Sequence, residues 1–172
     1  QYADLIRPEK LAMKINNTGG IWWAAKWLEV LSRANEDVMR KLWQLLDKES
    51  LAANLSQECH CENGAKSISD LYDADADIAC EMCDLLNVED LAVKLDTAGN
   101  VSRTVDVLRA IVTANEKKGR ELWQRLDKKN LAARLSRAQD CEEAWRCIDK
   151  ILSVRTDWAT ELSGLLNCDE LA

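Results

Sequence analysis

Apolar side chains return along this chain on two periods at once, one of three to four residues and one of forty. The longer period is plainest in the dipeptide Leu-Ala, which stands at Leu11, Leu51, Leu91, Leu131 and Leu171. Aligning residues 11–50, 51–90, 91–130 and 131–170 beneath one another extends the match to whole columns. Ile21, Cys61, Val101 and Cys141 share one, and Ala25, Ala65, Val105 and Trp145 the next. Leu28, Ile68, Leu108 and Ile148 follow, then Leu31, Leu71, Ile111 and Ile151. Steps of four, three and three residues keep these columns on one face of a helix. A second face runs through Leu42, Met82, Leu122 and Leu162 to Leu46, Leu86, Leu126 and Leu166. A third starts at each Leu-Ala and reaches Ile15, Leu55, Leu95 and Leu135.

Breaks between these faces carry helix-capping residues, whose short polar side chains satisfy backbone N–H groups that a first turn leaves open. Asn35, Asp75, Asn115 and Thr156 stand where the last helix of each block should begin. Asp47, Asn87, Asp127 and Asn167 precede the Leu-Ala helices. Pro8, the only proline, falls at the first helical position of the same frame, where no hydrogen-bond donor is needed. The expected fold is therefore all-α: an α-solenoid of four tandem 40-residue units, each a short helix followed by two longer ones packed as a hairpin. Residues 1–172 form a single repeat domain, with a partial repeat at 1–10, full repeats at 11–50, 51–90, 91–130 and 131–170, and the start of a further one at 171–172. In helix layout across the whole chain this resembles armadillo-type repeats, and the resemblance implies an extended surface for protein or peptide partners.

Composition adds little strand or linker character, with six glycines and no low-complexity stretch, and no segment approaches the ~20 apolar residues of a membrane span. No membrane association is expected. The net charge of −7 is unevenly spread: basic against acidic side chains give +1, −9, +4 and −3 for the four blocks. Asp70, Asp73, Asp75, Asp77, Glu81 and Asp84 make the second block an acidic patch that would repel nucleic acid. Arg103, Arg109, Lys117, Lys118, Arg120 and Arg125 in the third lack interleaved aromatics and read as a solvated helix face.

Seven cysteines invite a disulfide reading, which an oxidising compartment would permit. The hairpin places Cys141 beside Cys168, while Cys59, Cys61, Cys80 and Cys83 can pair among themselves and leave Cys147 free. A secreted protein is expected on this reading; a cytoplasmic one, with the cysteines as small buried hydrophobes, is the alternative. Cys59, His60, Cys61, Cys80 and Cys83 also supply zinc-type donors, although Cys-x-Cys spacing and a helical Cys80–Cys83 pair argue against a metal. Asp73, Asp75 and Asp77 open like a calcium loop, but Ile78 stands where glycine is required and Asp84 where a glutamate would be. No metal or cofactor is expected.

Reaction chemistry is thin: one histidine, His60, has no triad spacing, and no phosphate-binding glycine loop is present. The seven tryptophans are more informative. Trp43, Trp123, Trp145 and Trp158 occupy apolar columns and are expected in the core. Trp22 and Trp23 occupy columns that elsewhere hold Glu62, Asn63, Ser102, Arg103, Glu142 and Glu143, and Trp27 joins them one turn later. They either cap the end of the stack or anchor a partner. The expected function is a non-enzymatic scaffold, such as a secreted effector or toxin-like factor, that binds a protein or peptide. Its candidate contacts are Trp22, Trp23, Trp27, Asp73, Asp75 and Asp77. The alternative is a metal or small-ligand carrier built on the Cys/His/Asp cluster of the second block.

Overall fold

The structure, a computed structural model, describes residues 6–18, 20–58, 62–137 and 141–166, with the side chains of Glu58, Glu62 and Cys141 left aside. Among the described residues there are twelve α-helices and no strand. The Leu-Ala dipeptides lie in α1 (Pro8–Thr18), α4 (Lys48–Glu58), α7 (Val88–Thr97) and α10 (Lys128–Ser136). The longest helices follow: α2 (Ile21–Ala34), α5 (Glu62–Ala74), α8 (Val101–Ala114) and α11 (Cys141–Leu152). The set closes with α3 (Glu36–Leu45), α6 (Ala76–Asp84), α9 (Glu116–Arg125) and α12 (Thr156–Ser163). One expectation changes here, because the last helix of each block is no longer than the Leu-Ala helix. Residues such as Leu46 turn extended to bury one more leucine before the next cap.

Capping chemistry sets most boundaries. Asn35 accepts from the Val38 amide, Asp75 from Asp77 and Ile78, and Asn115 from Lys118. Asp47, Asn87 and Asp127 do the same for α4, α7 and α10. Pro8 opens α1 as its missing N–H allows. The fourth block differs: Arg155, not Thr156, is the N-cap residue of α12, and its side chain makes no cap bond. Its guanidinium pairs instead with Asp157 and Glu116. Asn167 lies outside the described residues.

The long helices pack in a row, α2 on α5, α5 on α8 and α8 on α11. Each shorter partner folds back on its own long helix, and α1, α4, α7 and α10 cover α3, α6, α9 and α12. The columns at 28, 31 and 42 are buried in every block, as the helical spacing requires. A further buried column was not evident from apolar spacing: Ala24, Gly64, Thr104 and Ala144, small residues that let the long helices approach. Thr104 satisfies its hydroxyl by donating to the Leu95 carbonyl.

Candidate functional site

The tryptophans divide by environment. Trp43, Trp123 and Trp158 are buried, and Trp123 stacks on Trp158 with ring centroids 4.8 Å apart and planes 6° from parallel. The Trp43 indole N–H donates to Glu81 at 2.7 Å while Lys48 lies over its ring and pairs with the same carboxylate. Eighty residues on, Trp123, Glu161 and Lys128 repeat that arrangement. Trp145 overturns the expectation of a core residue: it is 72 % exposed. Its column is buried only where another long helix follows, and none covers α11 among the described residues.

At the other end of the row, Gly20 is extended and starts α2, so Trp22 and Trp23 leave the helix in its first turn. Their rings meet edge to face at 4.6 Å, Trp22 half-buried and Trp23 55 % exposed. Trp27, one turn on, packs partly against the core. With Leu11, Lys14, Ile15 and Thr18 of α1, Trp23 and Trp27 line a groove of about 320 Å³. Its floor is apolar because Ile15 and Trp27 back onto the core, and Lys14 sets a positive charge at its edge. Trp27 is half-buried, and Trp23 is the more exposed of the two rings.

The acidic patch is not a common surface. Asp70 is buried and reaches Lys26 at 3.0 Å and Lys66 at 3.5 Å. That ion pair leaves Asp70 Oδ2 without a well-aligned hydrogen bond, and the nearby Ser67 hydroxyl lacks one as well. Asp75 is consumed by its own cap and by Arg40 at 3.1 Å. Glu81 binds Lys48 and Trp43, and the Lys48 ammonium first, then the indole, hold its carboxyl below the usual range. Asp84 accepts from Asn115 at 3.0 Å. Asp73 and Asp77 stay exposed. Neither lines the groove that Trp23 and Trp27 share. The acidic and tryptophan surfaces are thus separate. Asp75 is turned toward backbone amides and a guanidinium, which are donors, so the calcium-loop arrangement is not made.

Three of the six basic side chains singled out in the third block are likewise engaged: Arg120 with Glu116, Arg125 with Glu89, and Lys118 with Glu121. A wider groove of about 710 Å³, unmarked in the sequence, is lined by Gln57, Lys94, Thr97, Asn100 and Arg103 among others. Beneath its edge the Arg134 guanidinium donates to the Leu95 and Ala98 carbonyls and to Thr104, which ties off the end of α7.

Cys80, Cys83 and Cys147 are free thiols. Burial, reinforced by Cys80 and Asp84, pushes the Cys83 thiol up to about 12, and burial also raises Cys147. Both are protonated at neutral pH, the inert state of a packed cysteine. The expected partners Cys59, Cys61 and Cys168, with His60, lie outside the described residues, as does the side chain of Cys141. Among the described residues no three His, Cys, Asp or Glu side chains converge as a metal site requires. No helix there is long and apolar enough to cross a membrane. Comparison with known protein families, with curated proteins and with solved structures returns no match to this chain.

Proposed function

We infer that the chain is a non-enzymatic scaffold, an α-solenoid of four 40-residue units with partial units at both ends. It binds a protein or peptide in the groove between α1 and α2. The observation that carries this reading is Trp23, a large ring left 55 % exposed at the wall of an apolar groove. Exposed aromatics beside a concave apolar surface are the usual makings of a binding hot spot. The matched chemistry is a segment with one apolar anchor for the groove and an acidic side chain for Lys14. Asp73 and Asp77 do not line that groove and act at most on the rate of approach. A secreted setting, with Cys141 bonded to Cys168, belongs to the same reading.

A random peptide library displayed on phage, selected on the native chain, supplies the probe. Selected peptides should carry an aromatic or aliphatic anchor beside an acidic residue. Trp23→Ser should raise their off-rate by roughly 30-fold, the equivalent of ~2 kcal/mol for a hot spot. Thermal stability should change little, since the ring is mostly in water. Peptides that bind Trp23→Ser as tightly as the parent, or a variant that loses stability with binding intact, would overturn the assignment.

A further inference from the structure

Two junctions inside the chain show one geometry. Where α2 meets α5 and where α8 meets α11, an ion pair sets position 30 of the later helix, in the forty-residue frame, against position 26 of the earlier one. At position 27, three residues before it on the same helix, Ser67, Val107 and Cys147 are fully buried, and Asp70 and Ala110 at position 30 are buried too. On α2 the same places hold Trp27 and Val30, with Ala34 one turn on, and among the described residues no earlier long helix covers them. Val30 is 54 % exposed. The earlier helix offers position 25, buried as Ala25 and Val105 and half-buried as Ala65. On α11 that position is the exposed Trp145, with Leu152 on the same face at 47 %. Among the described residues both halves of a junction therefore stand without a long-helix neighbour, at opposite ends of the row.

We propose that a second copy of this chain docks head to tail, seating its α2 face on α11 of the first and continuing the row of long helices. The charges fit this register. Lys26–Asp70 at 3.0 Å and Asp106–Lys150 at 2.7 Å each span 44 residues, forty plus about one helical turn. The same offset carried across the new junction sets Asp149 of one copy against Arg33 of the next, an opposite-charge pair in which the Arg33 side chain is largely exposed. It also sets Arg146 against Val30. The short helix needed at this end is already in place, because α1 covers α3 as α7 covers α9. The two contacting faces differ, so association is heterologous and open-ended, unlike a two-fold dimer.

Sedimentation velocity of the purified chain over a rising concentration series tests this. The weight-average mass should climb above 19.4 kDa and fall back as salt is added. Val30→Lys, which opposes Arg146, and Trp145→Ser should each hold the protein near 19.4 kDa. Val30→Asp, which copies Asp70 and faces Arg146, should associate at least as well as the parent, an outcome that nonspecific apolar sticking would not give. Val30→Lys retains an intact α11 face and Trp145→Ser an intact α2 face, so an equimolar mixture should form a dimer and stop there. These residues are exposed, and far-UV circular dichroism confirms that the variants fold. A parent that stays monomeric at every concentration overturns the proposal. So does Val30→Asp proving as damaging as Val30→Lys, or a mixture that associates no further than either variant alone.

Discussion

A glycine inside a helix costs about 1 kcal/mol relative to alanine, yet at position 119 an alanine has nowhere to go. A Cβ there would lie 2.3 Å from Val112 Cγ2 and 2.8 Å from Val112 Cα, closer than packed carbons approach. The second contact is backbone, so a rotamer change cannot relieve it and α9 must lift from α8. Gly119→Ala should therefore destabilise by a net ~1–2 kcal/mol, overpacking strain of ~1–3 kcal/mol outweighing the propensity gain. The urea midpoint measures this, and Val112→Ala in the same chain should restore part of the loss. An unchanged or raised midpoint would show that the hairpin yields at no cost. The same frame position holds Met39, Ala79 and Ala159 in the other blocks, so this close approach belongs to the α8–α9 pair. Nothing in the apolar pattern marks it, because Val112 lies on another helix and the distance between the helices is not written in either segment.

Asparagine caps that look alike in sequence carry different loads in the structure. Asn35 and Asn115 both begin helices and both accept from the third amide of the turn. Asn115 is buried and also donates to the Cys80 carbonyl at 3.3 Å and to Asp84 at 3.0 Å, which joins α9 to α6. Replacing Asn35 by alanine should cost ~1 kcal/mol, the ordinary value of a cap. Asn115→Ala should cost ~2–3 kcal/mol, because it also leaves Asp84 and the Cys80 carbonyl without that donor. Equal losses in chemical denaturation would mean that the interhelix bonds contribute nothing net. The cap positions themselves were legible, since Asn, Asp and the forty-residue period suffice to find them. Their cross-block partners were not: Asp84, Asp70 and Glu81 register in a charge count only as acidic, while Asn115, Lys26 and Lys48 sit more than thirty residues away. For the same reason a charge count does not show that most of the acidic patch ties one block to the next, while Asp73 and Asp77 stay exposed.

Across the whole molecule, burial is greatest in α8, one of the two inner long helices. Val101, Thr104, Val105, Val107, Leu108, Ala110, Ile111, Val112 and Ala114 are all buried in α8, which packs against α5 on one side, α11 on the other and α9 beneath. α2 leaves Trp23 and Val30 exposed, and α11 leaves Trp145 and Leu152 exposed, because among the described residues each has a long-helix neighbour on one side only. That contrast explains Trp145, whose column is apolar throughout but whose burial depends on the next helix rather than on its own segment. Opening α8 exposes two interhelix contacts, whereas opening α2 or α11 exposes one, so local stability should grade inward from the ends. Native-state hydrogen exchange should find the slowest amides in α8, with the free energy of exchange approaching that of global unfolding, and faster exchange in α1 and α12. A concentration series separates this gradient from association: head-to-tail docking would add protection to α2 and α11 as concentration rises and leave α8 where it was. Uniform protection from α2 to α11 in dilute solution would instead mean that the row opens as one cooperative unit, and the graded account would fail.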